Sequence, residues 1–274
     1  MELHAEQLKT LQTLELEMFK EFTNICAKLD LKYYLLGGTL LGAIRHQGFI
    51  PWDDDIDVAM PRSDYDVFIE EAQKHLSPHL FLQTFTSDPD YPANFAKIRN
   101  SNTTFIESSV AKCHINHGVY IDVFPLDFYP SSAGEKIFKL KNSFLKLRIN
   151  CALGINKGHL LRRLAKLVSI LFIPSRTIAL KKREALFKSV KDRTLLANHC
   201  GAWGKREIVP AEWYAEGCEV KFEGLTAVAP KEYDKWLTQV YGDYRQLPPK
   251  EKQIAHHYVD VLDLETPYTY YTEN

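Results

Sequence analysis

The sequence predicts an α+β protein, and three observations carry that prediction. Helix-periodic and strand-periodic segments alternate over the first 130 residues, a basic and mostly helical stretch follows, and the remainder mixes short apolar runs with glycine and tryptophan before one more helix. The 274 residues accommodate one large mixed domain or two modest ones sharing a cleft. A content of 45% hydrophobic and 25% charged residues excludes a disordered or collagenous chain.

The chain opens with a long amphipathic helix, because Leu8, Leu11, Leu14, Met18, Phe22, Ile25 and Leu29 step by three or four onto one face. Lys32 to Leu36 reads as a strand stopping at Gly37, Gly38 and Thr39, a tight turn that opens a helix at Leu40 to Ala43. A second strand is expected at Ile56 to Met60. The next helix starts after Pro61 with Ser63 or Asp64 as its cap, and buries Tyr65, Phe68, Ile69 and Ala72. Strands follow at Leu80 to Phe85, Phe95 to Arg99, Thr103 to Glu107 and Val119 to Phe124, closed by Pro125 and Pro130. Ser131 to Gly134 form a joint into the helical stretch, which runs to about Asn198; Lys231 to Tyr241 is a helix ended by Gly242. The chain therefore divides into residues 1–130, 131–200 and 201–274.

The net charge of −1 conceals a segregation: Glu135 to Arg193 holds 16 basic and 3 acidic residues, a surplus of +13, which leaves −14 for the rest. Segregation of this size sets one segment against an anionic surface or ligand while another gathers carboxylates. The five scattered cysteines contain no CxxC pair and read as reduced thiols. Cys113, His114 and His117 lack the second half that a zinc site needs. Met1 to Thr10 has no secretory pattern, and the longest apolar run, Leu167 to Pro174, is far short of the roughly 20 residues of a membrane span, so a cytoplasmic protein is expected.

The chemistry concentrates between Leu35 and Arg62, where a glycine turn precedes Asp53, Asp54, Asp55 and Asp57. Like charges this close repel by a few kcal/mol per contact at near-surface dielectric, by order of magnitude, so the cluster needs solvation, protonation, basic partners or a metal. On a strand, Asp55 and Asp57 project from one face while Ile56 and Val58 face the core, and such a pair can chelate a hard divalent ion, Mg²⁺ or Mn²⁺. Asp122, between Ile121 and Val123 in an apolar strand, also requires a partner, and a shared metal supplies one.

The Gly37-Gly38-Thr39 turn, Arg45-His46, the block Phe49 to Asp57 and the later Ile121 to Asp127 resemble the LicD family of phosphocholine transferases. The resemblance extends to Tyr241 to Tyr244, Pro248-Pro249 and His256-His257, sparing the basic middle. It implies a nucleotidyltransferase-type fold, a small mixed β-sheet flanked by helices, with the basic segment inserted after a catalytic core. It also implies transfer of phosphocholine from CDP-choline to a sugar hydroxyl during teichoic acid or lipopolysaccharide assembly, with release of CMP.

Carried over by position, the catalytic and metal residues fall on Asp55, Asp57 and Asp122, with Gly37, Gly38 and Thr39 presenting a helix start to phosphate. Asp122, or else Asp57, would take the proton of the attacking hydroxyl. The 17 positions from Gly38 to Asp55 exceed the commonest nucleotidyltransferase spacing, which leaves a role for the insert carrying Arg45. Arg45, Lys97 and Arg99 are the expected phosphate contacts, although Lys97 and Arg99 on one strand face also fit a solvated surface. The resemblance assigns Tyr241, Asp243 and His256 to the nucleotide or acceptor pocket; a polar tail is the other reading of the histidines. Trp52, Trp203, Trp213, Tyr233 and Trp236 could wall a quaternary ammonium, and the sequence selects none of them.

Two other readings use the same aspartates: a nucleotidyltransferase releasing pyrophosphate, and a metal-stapled binding protein. The basic segment lacks the interleaved aromatics of a nucleic-acid platform, so no nucleic-acid partner is expected. A lipid-linked glycan acceptor would instead bring it to an anionic membrane surface at the inner face of the cell membrane. Phe138, Leu140, Phe144, Leu145, Leu147 and Ile149, with Leu160, Leu161, Leu164, Leu167, Val168 and Leu171, would then insert as an apolar face, or bury against the core.

Overall fold

A computed structural model describes residues 4–131, 134–152, 168–255 and 257–272, the side chain of residue 152 excepted. Helix α1 (Ala5–Leu29) buries Leu11, Met18, Phe19, Phe22, Ile25 and Cys26. Full burial of each such side chain stabilises by about 1.5–3 kcal/mol, so this face alone anchors the helix. Glu15 lies on the same buried stripe.

The main sheet carries strand β1 (Tyr34–Leu35), β2 (Asp57–Pro61), β3 (Leu80–Gln83), β4 (Ala96–Asn100) and β6 (Val119–Tyr129) in the order β1-β2-β6-β4-β3. Only the β2 and β6 pairing is parallel, and its register sets Asp57 opposite Asp122. Strand β5 (Thr104–Glu107) pairs instead with β11 (Val259–Asp263), from the stretch expected to be a polar tail. The sheet is mixed and flanked by helices, as an α+β class requires.

Helix α2 (Gly37–His46) begins one residue after β1, with Gly37 at φ +55°, a backbone that side-chain-bearing residues rarely adopt. Helix α3 (Arg62–Glu71) starts directly after Pro61, so Ser63 and Asp64 lie inside its first turn and neither is the cap. The expected end of β6 at Phe124 is also corrected, because the strand runs through Pro125 to Tyr129. Pro125 is tolerated because β4 pairs only as far as Val123 and β7 (Leu195–Ala197) begins pairing at Asp127; the missing N–H falls in the gap.

The basic stretch forms α4 (Glu135–Ala152) and α5 (Arg176–Lys188), packed on each other around Leu145, Ile149, Ala179 and Leu180. A second cluster joins Phe138 and Phe187 to Tyr129 of β6. Phe138, Leu145 and Ile149 are thus buried and cannot form an insertion face, whereas Leu140, Leu171 and Phe172 are 73%, 81% and 72% exposed. Leu160, Leu161, Leu164 and Leu167 lie outside the described residues. Strand β8 (Ile208–Pro210) extends β7, and β9 (Cys218–Phe222) with β10 (Leu225–Ala229) forms a hairpin in the stretch that had no clear element. Helix α6 (Tyr233–Tyr241) ends at Gly242 as expected, and a short α7 (Thr269–Thr272) follows β11. No helix among the described residues is long and apolar enough to cross a membrane.

Candidate active site

A cleft of about 920 Å³ opens at the β2 and β6 ends. Gly37, Gly38, Arg45, Asp53, Asp55, Asp57, Asp122, Tyr241, Asp243 and His257 line it, so it draws on both the first 130 residues and the C-terminal stretch. Its size suits a small-molecule ligand.

Alternation along β2 explains part of this arrangement: Ile56 and Val58 are fully buried, turning Asp55 and Asp57 toward the cleft. Thr39 does not face a ligand; its buried hydroxyl accepts the Asp57 N–H at 2.8 Å and fixes the strand against α2. Gly37 and Gly38 touch the carboxylates so closely that an added Cβ would stand 2.6 Å from Asp57 Oδ2 and 2.4 Å from Asp53 Oδ2. The positive end of α2 therefore meets acidic side chains.

Positive charge nearby is scarce. Lys97 Nζ stands 2.8 Å from Asp122 Oδ1 and 3.6 Å from Glu107. His257 Nδ1 donates to Asp54 Oδ1 at 3.1 Å, its backbone N–H donates to Asp54 Oδ2 at 3.2 Å, and its Nε2 stands 3.8 Å from Asp55. No lysine or arginine ion-pairs with Asp53, Asp55 or Asp57 among the described residues. Burial, then the neighbouring aspartates, holds the carboxyls of Asp53 and Asp57 well above the usual carboxylate range. Asp55 is pushed up to about 6, burial outweighing the attraction of His257. Burial disfavours charge on His257 too, yet the hydrogen bond to Asp54 and the charges of Asp55 and Asp54 raise it to about 9.

Carboxylate oxygens of Asp53, Asp54 and Asp55 all lie within 4.8 Å of one another, and hard oxygen donors with unbalanced charge fit a divalent cation. This closest group is shifted from the expected Asp55, Asp57 and Asp122, of which all three share the cleft. Asp127, at the end of the Ile121 to Asp127 block, is taken by Arg62, whose Nε donates to it at 2.8 Å.

Arg99 is corrected more sharply. It is fully buried and donates to Gln83 and Gly118 O while pairing with Glu107 at 3.2 Å, so it can contact neither solvent nor phosphate. Lys97 is 4% exposed and committed to Asp122 and Glu107, which excludes the solvated reading and leaves it a positioning role. Arg45 does line the cleft, with Nη1 donating to Tyr244 O at 3.0 Å. Trp52 and Trp203 reach the cleft, whereas Trp236 is core, donating to Tyr214, and Trp213 and Tyr233 pack on that core. His256 lies outside the described residues.

The sequence reading left His257 between a polar tail and the pocket, and passed over Asp54 as its partner, Glu15 and Glu207. Glu15 sits where the α1 stripe steps from Leu11 to Met18, and burial followed by the four nearby aspartates raises its carboxyl. His257 could be found only by recognising β11, which pairs Val259 with Glu107 and so carries the preceding residues over the aspartates.

Residues 30–145 match the family described as LicD/FKTN/FKRP, nucleotidyltransferase domain, a span that includes Asp53, Asp54, Asp55, Asp57 and Asp122. Over 262 residues, 91% of this chain and 96% of the relative, the sequence is 31% identical to the lipopolysaccharide cholinephosphotransferase LicD of Haemophilus influenzae. An uncharacterized protein of Rickettsia prowazekii is 28% identical over 114 residues, covering 42% of this chain and 39% of that protein.

Proposed function

The chain belongs to the LicD family and is a phosphotransferase, and on that footing we propose that it transfers phosphocholine from CDP-choline to a sugar hydroxyl of a cell-surface glycan precursor, of lipopolysaccharide or teichoic acid type, releasing CMP. The observation that carries this reading is the cleft in which buried, unbalanced carboxylates meet a glycine turn at a helix start.

Asp55 and Asp57, flanked by Asp53 and Asp122, are the residues that would hold Mg²⁺ or Mn²⁺. A divalent cation there supplies charge neutralisation for the donor diphosphate and the leaving CMP. Lys97 fixes Asp122 on β6, and in this reading the Asp122 carboxylate accepts the proton of the incoming hydroxyl. Arg45, held on Tyr244 O, presents its remaining N–H groups to phosphate oxygens. Tyr241 and Asp243 close the side contributed by α6.

The acceptor is lipid-linked in this reading, and the enzyme docks peripherally on the anionic inner face of the membrane. Exposed Lys136, Lys141, Lys146, Lys181 and Lys182 lie on the same helix pair as exposed Leu140, with Leu171 and Phe172 preceding α5. Basic residues beside protruding apolar ones are the composition of an interfacial surface.

Purified protein incubated with Mg²⁺ and a panel of CDP-alcohols should release CMP, fastest from CDP-choline. Pyrophosphate release from a nucleoside triphosphate would instead establish the nucleotidyltransferase reading. Metal binding without turnover of any nucleotide would leave the binding-protein reading.

A further inference from the structure

Besides its aspartates, the cleft is lined by a glutamate, Glu207, which is 2% exposed. It forms no ion pair with lysine or arginine among the described residues. Glu207 Oε1 accepts the Trp203 N–H at 2.9 Å, and the Asn198 side chain donates to the same carboxylate. Gly201 presses on it so tightly that a Cβ there would stand 2.1 and 2.2 Å from its two oxygens. A buried carboxylate without a protein cation is costly unless a ligand supplies the charge.

Beside it, the rings of Trp203 and Tyr241 meet edge to face, 4.9 Å apart at 74°, and both line the cleft. The pair is fastened in place: Arg206 Nη1 donates to Val240 O at 3.0 Å, and Gln239 Nε2 donates to Arg206 O and Ile208 O at 2.7 and 3.0 Å. These bonds bind the turn carrying Trp203 and Glu207 to helix α6, which ends in Tyr241.

We infer that Trp203, Tyr241 and Glu207 form the subsite for the quaternary ammonium head of the donor, while the aspartates of the same cleft serve its phosphates. This rests on the phosphocholine-transfer reading and names which part of the cleft enforces it. A trimethylammonium group has no N–H to donate; it takes aromatic faces and an anion whose hydrogen-bonding positions are already used. Glu207 is such an anion, with Trp203 and Asn198 already taking two of its acceptor positions. Burial lifts its carboxyl to about 7, and a cation beside it would favour the ionised form. A cytosine ring could stack on the same pair, yet a neutral base has no need of the buried carboxylate.

The test separates charge from shape by using CDP-choline and its neutral isostere, the CDP ester of 3,3-dimethylbutan-1-ol. Wild-type protein should favour the charged donor in kcat/KM by at least tenfold. Glu207→Gln and Trp203→Leu should each erase most of that ratio through KM, leaving the inhibition constant of CMP unchanged, with circular dichroism confirming the fold. A ratio unchanged in both variants, or a CMP constant that rises with the donor KM, overturns the subsite. If wild-type protein releases CMP from neither donor, phosphocholine transfer itself fails. Calorimetry with choline chloride then decides the subsite alone: binding lost in Glu207→Gln supports it, and no binding by wild-type protein overturns it.

Discussion

The aspartate cleft and the α4 and α5 lobe carry opposite charge surpluses, and they handle charge in opposite ways. In the cleft, Asp53, Asp55 and Asp57 are crowded without a lysine or arginine partner among the described residues, and burial holds their carboxyls above the ordinary range. In the lobe, the buried cations are satisfied by neutral acceptors: Arg148 donates to Ile173 O and Pro174 O, and Arg183 to Asn142, Asn94 and His199 O. Lys136, Lys141, Lys146, Lys181 and Lys182 face solvent. One region turns its unbalanced charge inward, whereas the other satisfies its buried arginines with neutral acceptors and offers its surplus outward.

The largest effect should come from breaking the cleft. Asp55→Asn and Asp57→Asn should each lower CMP release by 10²-fold or more, since deleting one preorganised electrostatic contact commonly costs that much. Because each substitution removes a repelling charge, the Tm without divalent cation should not fall. Mg²⁺ should raise the Tm of wild-type protein and not of these variants. Near-wild-type turnover in both would remove the metal assignment.

The lobe should break differently. Arg183→Gln leaves Asn142, Asn94 and a carbonyl without their donor in a buried setting, so urea titration should show a loss of about 3 kcal/mol, with kcat unaffected at temperatures where the variant is folded. A loss below about 0.5 kcal/mol, the scale of ordinary surface substitutions, would show that this arginine is part of the outward surplus after all.

These contrasts mark how much was legible in the sequence. The α1 stripe, the glycine turn and the alternation around Asp55 and Asp57 are local patterns, and they placed the cleft floor without any long-range information. Arg99 was misplaced because period-two alternation fixes a face and not what covers it; here Glu107, Gln83 and Gly118 do. His257 and Glu207 enter the cleft through pairings across more than 100 residues or through a turn with no periodicity, and neither leaves a local signal. In the lobe, Phe138, Leu145 and Ile149 follow the same helical spacing whether the partner is a membrane or another helix, so only the observed α4 and α5 contact decided between them.

His199 sharpens the comparison through pH. It lies stacked 4.4 Å from Phe187, and burial depresses it to about 4 from an unfolded value near 6.5. A depressed folded pKa means that the unfolded chain binds the extra proton first. The stability it contributes is present above pH 6.5 and is lost as pH falls toward 4, by roughly 3 kcal/mol. His199→Phe should flatten this limb in urea titrations at stepped pH; an unchanged limb would assign the loss to other groups.

The smallest effect concerns the outward surplus. Neutralising Lys136, Lys141, Lys146, Lys181 and Lys182 together should leave stability within about 0.5 kcal/mol, as surface substitutions do. Arg183, which the charge count alone would add to this set, must be left out because its removal should destabilise the lobe. Arg162 and Arg163, also part of that count, lie outside the described residues. Anionic liposomes should bind wild-type protein at low salt and release it at high salt, since the Debye length shrinks from about 30 Å at 0.01 M to about 3 Å at 1 M. The five-lysine variant should bind at least tenfold more weakly while releasing CMP from a soluble acceptor at the wild-type rate. Leu171→Ser with Phe172→Ser should weaken the salt-resistant part of binding, because apolar insertion is not screened. Equal partitioning of wild-type and variant proteins onto anionic and neutral vesicles would mean that the lysines serve only solubility, and that the lobe is as inward-looking as the cleft.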